Sequence, residues 1–138
     1  MATKIFVSLP VKDLQKSIEF YTKLGYTFNP QFASETTACM IIGEDIYAML
    51  GTHAMLKSLT TKEICDTTKY TSALVSLSCE SRAQVDDFVA KAIAAGGSTA
   101  SEPTDHGFMY SHDYEDLDGN GWGLFWMDPS AVNQPTQE

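Results

Sequence analysis

Two histidines and five carboxylates crowd one stretch late in the chain. His106 and His112 stand among Asp105, Asp113, Glu115, Asp116 and Asp118. Imidazole and carboxylate together are a donor set for a divalent metal. The spacing argues against one shared ion. Six residues of extended chain put about 20 Å between the two imidazoles. Neighbours such as His112 and Asp113 point to opposite faces of a strand. The cluster therefore reads as a solvated acidic edge strand. His106, followed by Gly107, reads as a loop residue over a cleft, able to touch a bound molecule. His53 reads as an ordinary loop residue. Cys39, Cys65 and Cys79 are odd in number, sit among apolar residues and form no Cys-x-x-Cys pair. They read as buried thiols, with no disulfide frame, zinc site or nucleophile implied. No glycine-rich phosphate loop is present, because Gly96-Gly97 follows a helix instead of opening one. The Asp118-x-Asn120 step is a turn without the ligand spacing of a calcium loop.

Composition narrows the classes further. The chain has 138 residues, 43% of them apolar and 11% aromatic. That suffices for one packed domain and argues against disorder. Nine basic against 18 acidic residues leave a net charge of −9. Such a protein repels phosphate backbones and anionic lipid, so neither nucleic acid nor a membrane is the expected partner. No window approaches the roughly 18 apolar residues that span a bilayer. Met1-Ala2-Thr3-Lys4 runs directly into a strand-like segment without the apolar core of a signal peptide. The expected location is the cytoplasm.

The elements that must position any site follow from periodicity. Residues 5–11 alternate as a strand, and Asp13 is an N-cap. Leu14, Ile18, Tyr21 and Leu24 recur at helical spacing, with Gly25 as the stop. Strands are expected at 26–28, 36–42 and 45–50, which makes a βαβββ module over about 4–55. A linker over about 56–71 is expected to hold a helix near 61–65. A second module over about 72–127 repeats the pattern. It has a strand at 72–79, a helix capped by Ser81 and ended by Gly96-Gly97, a weak strand near 98–101, and strands at 108–115 and 122–127. Leu9, Val11, Asp13 and Phe20 correspond to Leu77, Cys79, Ser81 and Phe88 at an offset of 68. The offset grows between Gly25 and Gly96, so the second helix is the longer. Residues 1–128 thus form one domain, and 129–138 a flexible tail.

Three features together resemble the vicinal oxygen chelate superfamily of glyoxalases, bleomycin-resistance proteins and extradiol dioxygenases. They are the paired modules, the opening Val11-Lys12-Asp13-Leu14 with Phe20-Tyr21, and the turn Asp116-Leu117-Asp118-Gly119-Asn120. The chain looks most like the small bacterial predicted lactoylglutathione lyases. The resemblance implies an α+β fold. In it, two βαβββ modules form a curved mixed sheet around a cleft, with helices outside. It also implies four inward strand positions that hold a divalent metal in the catalytic members. Here those places fall on Phe6, Met49, Leu74 and Gly123. None supplies a hard oxygen or imidazole donor, and neither do their immediate neighbours.

The same positions suggest a different use. Phe6, Met49, Leu74 and Phe125, with space left by Gly123, would line an apolar cleft. Tyr47, Met109 and Trp122 are expected on its walls and His106 above it. The leading expectation is a metal-independent binder of a small apolar or aromatic molecule, similar to the drug-sequestering members, with no cofactor. The alternative is a lactoylglutathione lyase- or dioxygenase-like enzyme that holds a divalent metal through non-standard ligands. A third is a dimeric module whose cleft is filled by its own side chains. A homodimer is expected, because exposed sheet edges want cover.

Overall fold

The computed structural model describes residues 3–132. Module one runs β1 (Ile5–Val11), α1 (Leu14–Lys23), β2 (Thr27–Asn29), β3 (Thr37–Gly43) and β4 (Ile46–Thr52). A short helix, α2 (His53–Lys57), follows at once. Module two runs β5 (Leu74–Cys79), α3 (Arg82–Ala94), β6 (Thr104–Asp105), β7 (Met109–Glu115) and β8 (Gly121–Met127), before the helical turn α4 (Pro129–Val132).

The two modules start alike for the same local reasons. The Asp13 side chain accepts from the Lys16 N–H, and the Ser81 side chain accepts from the Gln84 N–H. Each cap satisfies an N–H that a helix start leaves without a partner. Both helices end on a glycine in the left-handed region, Gly25 at φ 107° and Gly96 at φ 106°. The helices have 10 and 13 residues, which accounts for the growth of the repeat offset.

Each module makes its own four-stranded mixed sheet, in the orders β1-β4-β3-β2 and β5-β8-β7-β6. The fold is the expected α+β pairing of βαβββ modules, but the eight strands do not run as one sheet. β1 pairs in parallel with β4, and β5 in parallel with β8. Among the described residues no strand pairs with the outer edge of β1 or of β5. The modules meet instead through their helices and the 116–120 turn.

One core joins them. Leu9, Val11, Ala48 and Leu50 of the first sheet share it with Val85, Val89, Trp122 and Leu124 of the second module. The α1 aromatics reach across: Phe20 lies against Tyr114 and Tyr21 against Trp122. Both sheets thus turn one face to the helices and the opposite face outward. Which residues face outward follows from the period of two.

Two local expectations are corrected. The linker helix is not at 61–65; α2 lies earlier, because the Thr52 hydroxyl caps it by accepting from the Met55 N–H. Residues further on are drawn into a turn around Asp66, whose carboxylate accepts from Thr68. The weak strand near 98–101 reduces to a single bridge between Ser98 and Glu115. Thr99 and Ser101 place their hydroxyls on the Asp113 carboxylate, a local alternative to the ladder. β6 forms further on. The expected tail begins with α4, and its remainder lies outside the described residues.

Candidate functional site

The outward face of the first sheet is aromatic and apolar. Phe6 and Tyr47 are register partners, and their rings stack at 4.7 Å with planes 11° apart. Met49 lies one step along, opposite Ser8 and Cys39. The Lys4 ammonium stands 5.8 Å over the Tyr47 ring. Phe6 is 49% exposed although it is large and apolar.

The outward face of the second sheet is built from small and polar residues. Leu74 pairs with Gly121, Ser76 with Gly123, and Ser78 with Phe125. Asp113 sits opposite Gly123 on the other side of β8. Two glycines here leave the β8 backbone bare, and a Cβ at Gly123 would come within 3.0 Å of the Ser76 Oγ. The result is a trough of about 250 Å³, with Gly121 and Gly123 on its floor and Leu74, Ala100, Asp113 and Glu115 around it. A second hollow of about 250 Å³ continues it past Ser76 and Gly123 to Phe125, Ser111 and Ser101. Leu74 stands at its rim, 78% exposed.

The predicted cleft residues are therefore divided. Phe6, Tyr47 and Met49 share one outward face, while Leu74, Gly123, Phe125 and Met109 share the other. No single cavity among the described residues holds both groups. Trp122 is a correction. As the residue between Gly121 and Gly123 it points to the helix side, where it is 1% exposed and its Nε1–H donates to the Tyr21 hydroxyl at 2.9 Å. His106 also stands apart from the trough. It lies in the β6–β7 turn with its N–H on the Met109 carbonyl and its ring near exposed Phe108. His112 is tied to the Ser101 carbonyl at 2.8 Å. Sequence reasoning missed Ser76 and read Asp113 and Glu115 as a solvated acidic edge, whereas all three line the trough. The usable signal was the alternation Leu74, Ser76, Ser78, which puts these side chains on one face.

Behind the trough, the 116–120 turn forms a buried polar junction between modules. The Asp116 carboxylate accepts from the Tyr21 hydroxyl at 2.6 Å, the Asn120 side-chain amide at 2.9 Å, and the backbone N–H groups of Asp118 and Asn120. Asp118 accepts from the Lys12 N–H at 2.8 Å, and Asn120 donates to the Pro10 carbonyl at 3.0 Å. Burial holds the Asp116 carboxyl above its ordinary range, against hydrogen bonds that pull it down. Burial first, then the Asp116 charge, raises the Tyr21 phenol well above its own. Both groups serve the junction, since neither lines the trough.

A family model described as the Glyoxalase/Bleomycin resistance protein/Dioxygenase superfamily matches residues 5–124. The chain belongs to this superfamily. Solved structures agree on the fold. A hypothetical protein, SA1046 from S. aureus, is 27% identical with a TM-score of 0.76, over 91% of this chain and 95% of that one. A glyoxalase/bleomycin resistance protein/dioxygenase family enzyme from Burkholderia phytofirmans PsJN is 18% identical with a TM-score of 0.75, over 91% and 99%. A glyoxalase/bleomycin resistance protein/dioxygenase from Nocardioides is 22% identical with a TM-score of 0.71, over 100% and 90%. Comparison with curated proteins finds no match.

Catalytic members of the superfamily imply a metal, and the residues at its expected places do not fit one. A phenyl ring, a thioether, an isobutyl group and a hydrogen atom stand at Phe6, Met49, Leu74 and Gly123. Only the thioether is a ligand at all, and it suits soft ions. Among the described residues no three His, Cys, Asp or Glu side chains gather where they could hold an ion. No described helix is long and apolar enough to cross a membrane.

Proposed function

We propose that this superfamily member is a metal-independent small-molecule binder. Its ligand carries an apolar or aromatic face that rests on the outward sheet surfaces. On the second sheet it meets Leu74, Gly123 and Phe125 in the trough and the hollow beside it; the Phe6–Tyr47 stack and Met49 offer a separate aromatic surface on the first. The observation that carries this reading is the trough over Gly121 and Gly123. It opens at Gly123, where the resemblance puts a metal ligand, and glycine there supplies no donor and leaves the β8 backbone bare. Ser76, Asp113 and Glu115 supply the few polar groups that would orient a ligand. The protein acts in the cytoplasm as a homodimer. The dimer is supported by Leu74 and Phe6, large apolar residues left exposed on strands with a free edge.

Elemental mass spectrometry on protein purified without chelator, paired with a thermal-shift screen of apolar and aromatic compounds, tests the reading. The expected result is no retained Zn, Ni, Mn or Fe, and stabilising compounds whose effect disappears in Gly123→Leu, which fills the trough. A near-stoichiometric metal that survives dialysis overturns it.

A further inference from the structure

Asn120-Gly121 is the one Asn-Gly step in the chain. In a flexible chain such a step is chemically labile, because glycine has no side chain to shield its nitrogen. The Gly121 backbone nitrogen attacks Cγ of Asn120, a C–N bond forms, and Nδ2 leaves as ammonia with the displaced proton. Water then opens the five-membered ring and leaves an aspartate or isoaspartate at the position.

The fold opposes each part of this reaction. Asn120 is 3% exposed, so water is kept away. Its Nδ2, the leaving group, donates to the Pro10 carbonyl at 3.0 Å and to Asp116 Oδ2 at 2.9 Å. Its own N–H donates to Asp116 Oδ1 at 2.8 Å, and its carbonyl accepts from the Asp116 N–H at 3.0 Å, which fixes the backbone. Among the described residues Asn120 Oδ1 has no hydrogen-bond donor, so none of them polarises Cγ for attack or stabilises the charge that attack would place there.

We infer that Asn120 is a modification site gated by unfolding. The folded chain keeps the amide, and an opened chain converts it to a carboxylate. The converted chain does not re-form the junction between modules at neutral pH.

The last step follows from what surrounds the amide. An acid oxygen in the place of Nδ2 would face two acceptors, Asp116 Oδ2 and the Pro10 carbonyl, where the amide now donates to both. The titratable groups in this junction are Asp116 and Asp118 from the turn, Tyr21 from α1 and Tyr114 from β7, while Lys12, Asp13, Lys16, His53 and Asp66 border Asp118 on its outer side. Lys12 contributes its backbone N–H only. No basic side chain is bonded to the turn among the described residues. Two carboxyls this close cannot both ionise cheaply, so the pair must keep a proton. A folded-state pKa above the unfolded one gives stability that is present in acid and lost as the pH rises through the folded value.

Peptide mass spectrometry at mildly alkaline pH, in native buffer and in urea, reads the gating. The expected result is conversion at Asn120 in urea and conversion slower by on the order of a hundredfold or more in the folded protein, as its small unfolded fraction dictates. Gly121→Ala is expected to keep the fold, since its Cβ meets only the flexible end of Leu74 at 3.1 Å, and to slow conversion in urea. Asn120→Asp is expected to refold in acid and to lose its structure on titration to neutral pH. Equal conversion in folded and unfolded protein, or an Asn120→Asp variant as stable as the parent at neutral pH, overturns the inference. Should that variant fail to fold at any pH, the parent protein carries the test. After partial conversion in urea and refolding at neutral pH, the folded fraction must contain only the amide, and converted chains within it overturn the inference.

Discussion

The Tyr21 hydroxyl donates to the Asp116 carboxylate at 2.6 Å and accepts from the Trp122 indole at 2.9 Å. One phenol in the first helix thus satisfies two buried groups in the last hairpin. Its removal strands the Trp122 N–H, at about 1–3 kcal/mol, and takes from Asp116 one of its four hydrogen bonds, worth about 1 kcal/mol more. Tyr21→Phe is therefore expected to lower stability by about 2–4 kcal/mol in urea unfolding. In a double-mutant cycle with Trp122→Phe, the two losses should fall short of additive.

Gly25 and Gly119 both occupy positive φ, at 107° and 82°, but their surroundings differ. A Cβ on Gly25 meets nothing within 4 Å, whereas one on Gly119 would run into the Thr67 carbonyl oxygen. Gly25→Ala should cost about 1 kcal/mol, the conformational share alone. Gly119→Ala should cost upward of about 3 kcal/mol, because the Thr67 backbone must also move. Equal losses in urea unfolding would refute the steric argument.

Phe6 and Phe20 test what the outward face is for. Phe20 is 1% exposed in the shared core, and Phe20→Ala should cost about 3–5 kcal/mol. Phe6 is half exposed, and Phe6→Ala should cost under about 1.5 kcal/mol, mostly the stacking on Tyr47. Phe6→Ala should nevertheless weaken an aromatic ligand that rests on the first sheet, and leave one held in the trough unchanged.

The Asp116 carboxyl is raised by burial more than its hydrogen bonds lower it. Its folded pKa then lies above its unfolded one, so its share of stability is full below the unfolded value. That share is lost as pH rises through the folded value. The urea midpoint of the parent protein should carry this downward step above about pH 4, near the unfolded carboxylate value. Asp116→Asn, though less stable throughout, should lack it.

The sequence makes the local devices plain. Asp13, Ser81, Gly25 and Gly96 declare helix ends because a cap or a left-handed glycine acts within a few residues of itself. The strands follow from alternation for the same reason. Trp122 misleads. An aromatic beside a motif glycine suggests a cleft wall, while its actual partner, Tyr21, lies 101 residues upstream. Thr52 ends a strand and caps a helix at once, and only the second role explains why α2 begins at His53. The aromatic half of the outward surface stands in the alternation of β1 and β4, and the serine-glycine half in that of β5 and β8. That the halves belong to separate sheets was not legible, because alternation does not say which strands share an edge.

The strand order also governs assembly in time. Each sheet sets its first strand beside its last, in parallel, so neither closes until its whole module has been made. The turn that satisfies α1 lies at 116–120, with Asp116 coming 95 residues after Tyr21. Until that turn emerges from the ribosome, the Tyr21 face of α1 has no cover and the first module waits half-finished. Such a nascent chain depends on how soon that turn follows, or on a chaperone, to escape association with its neighbours.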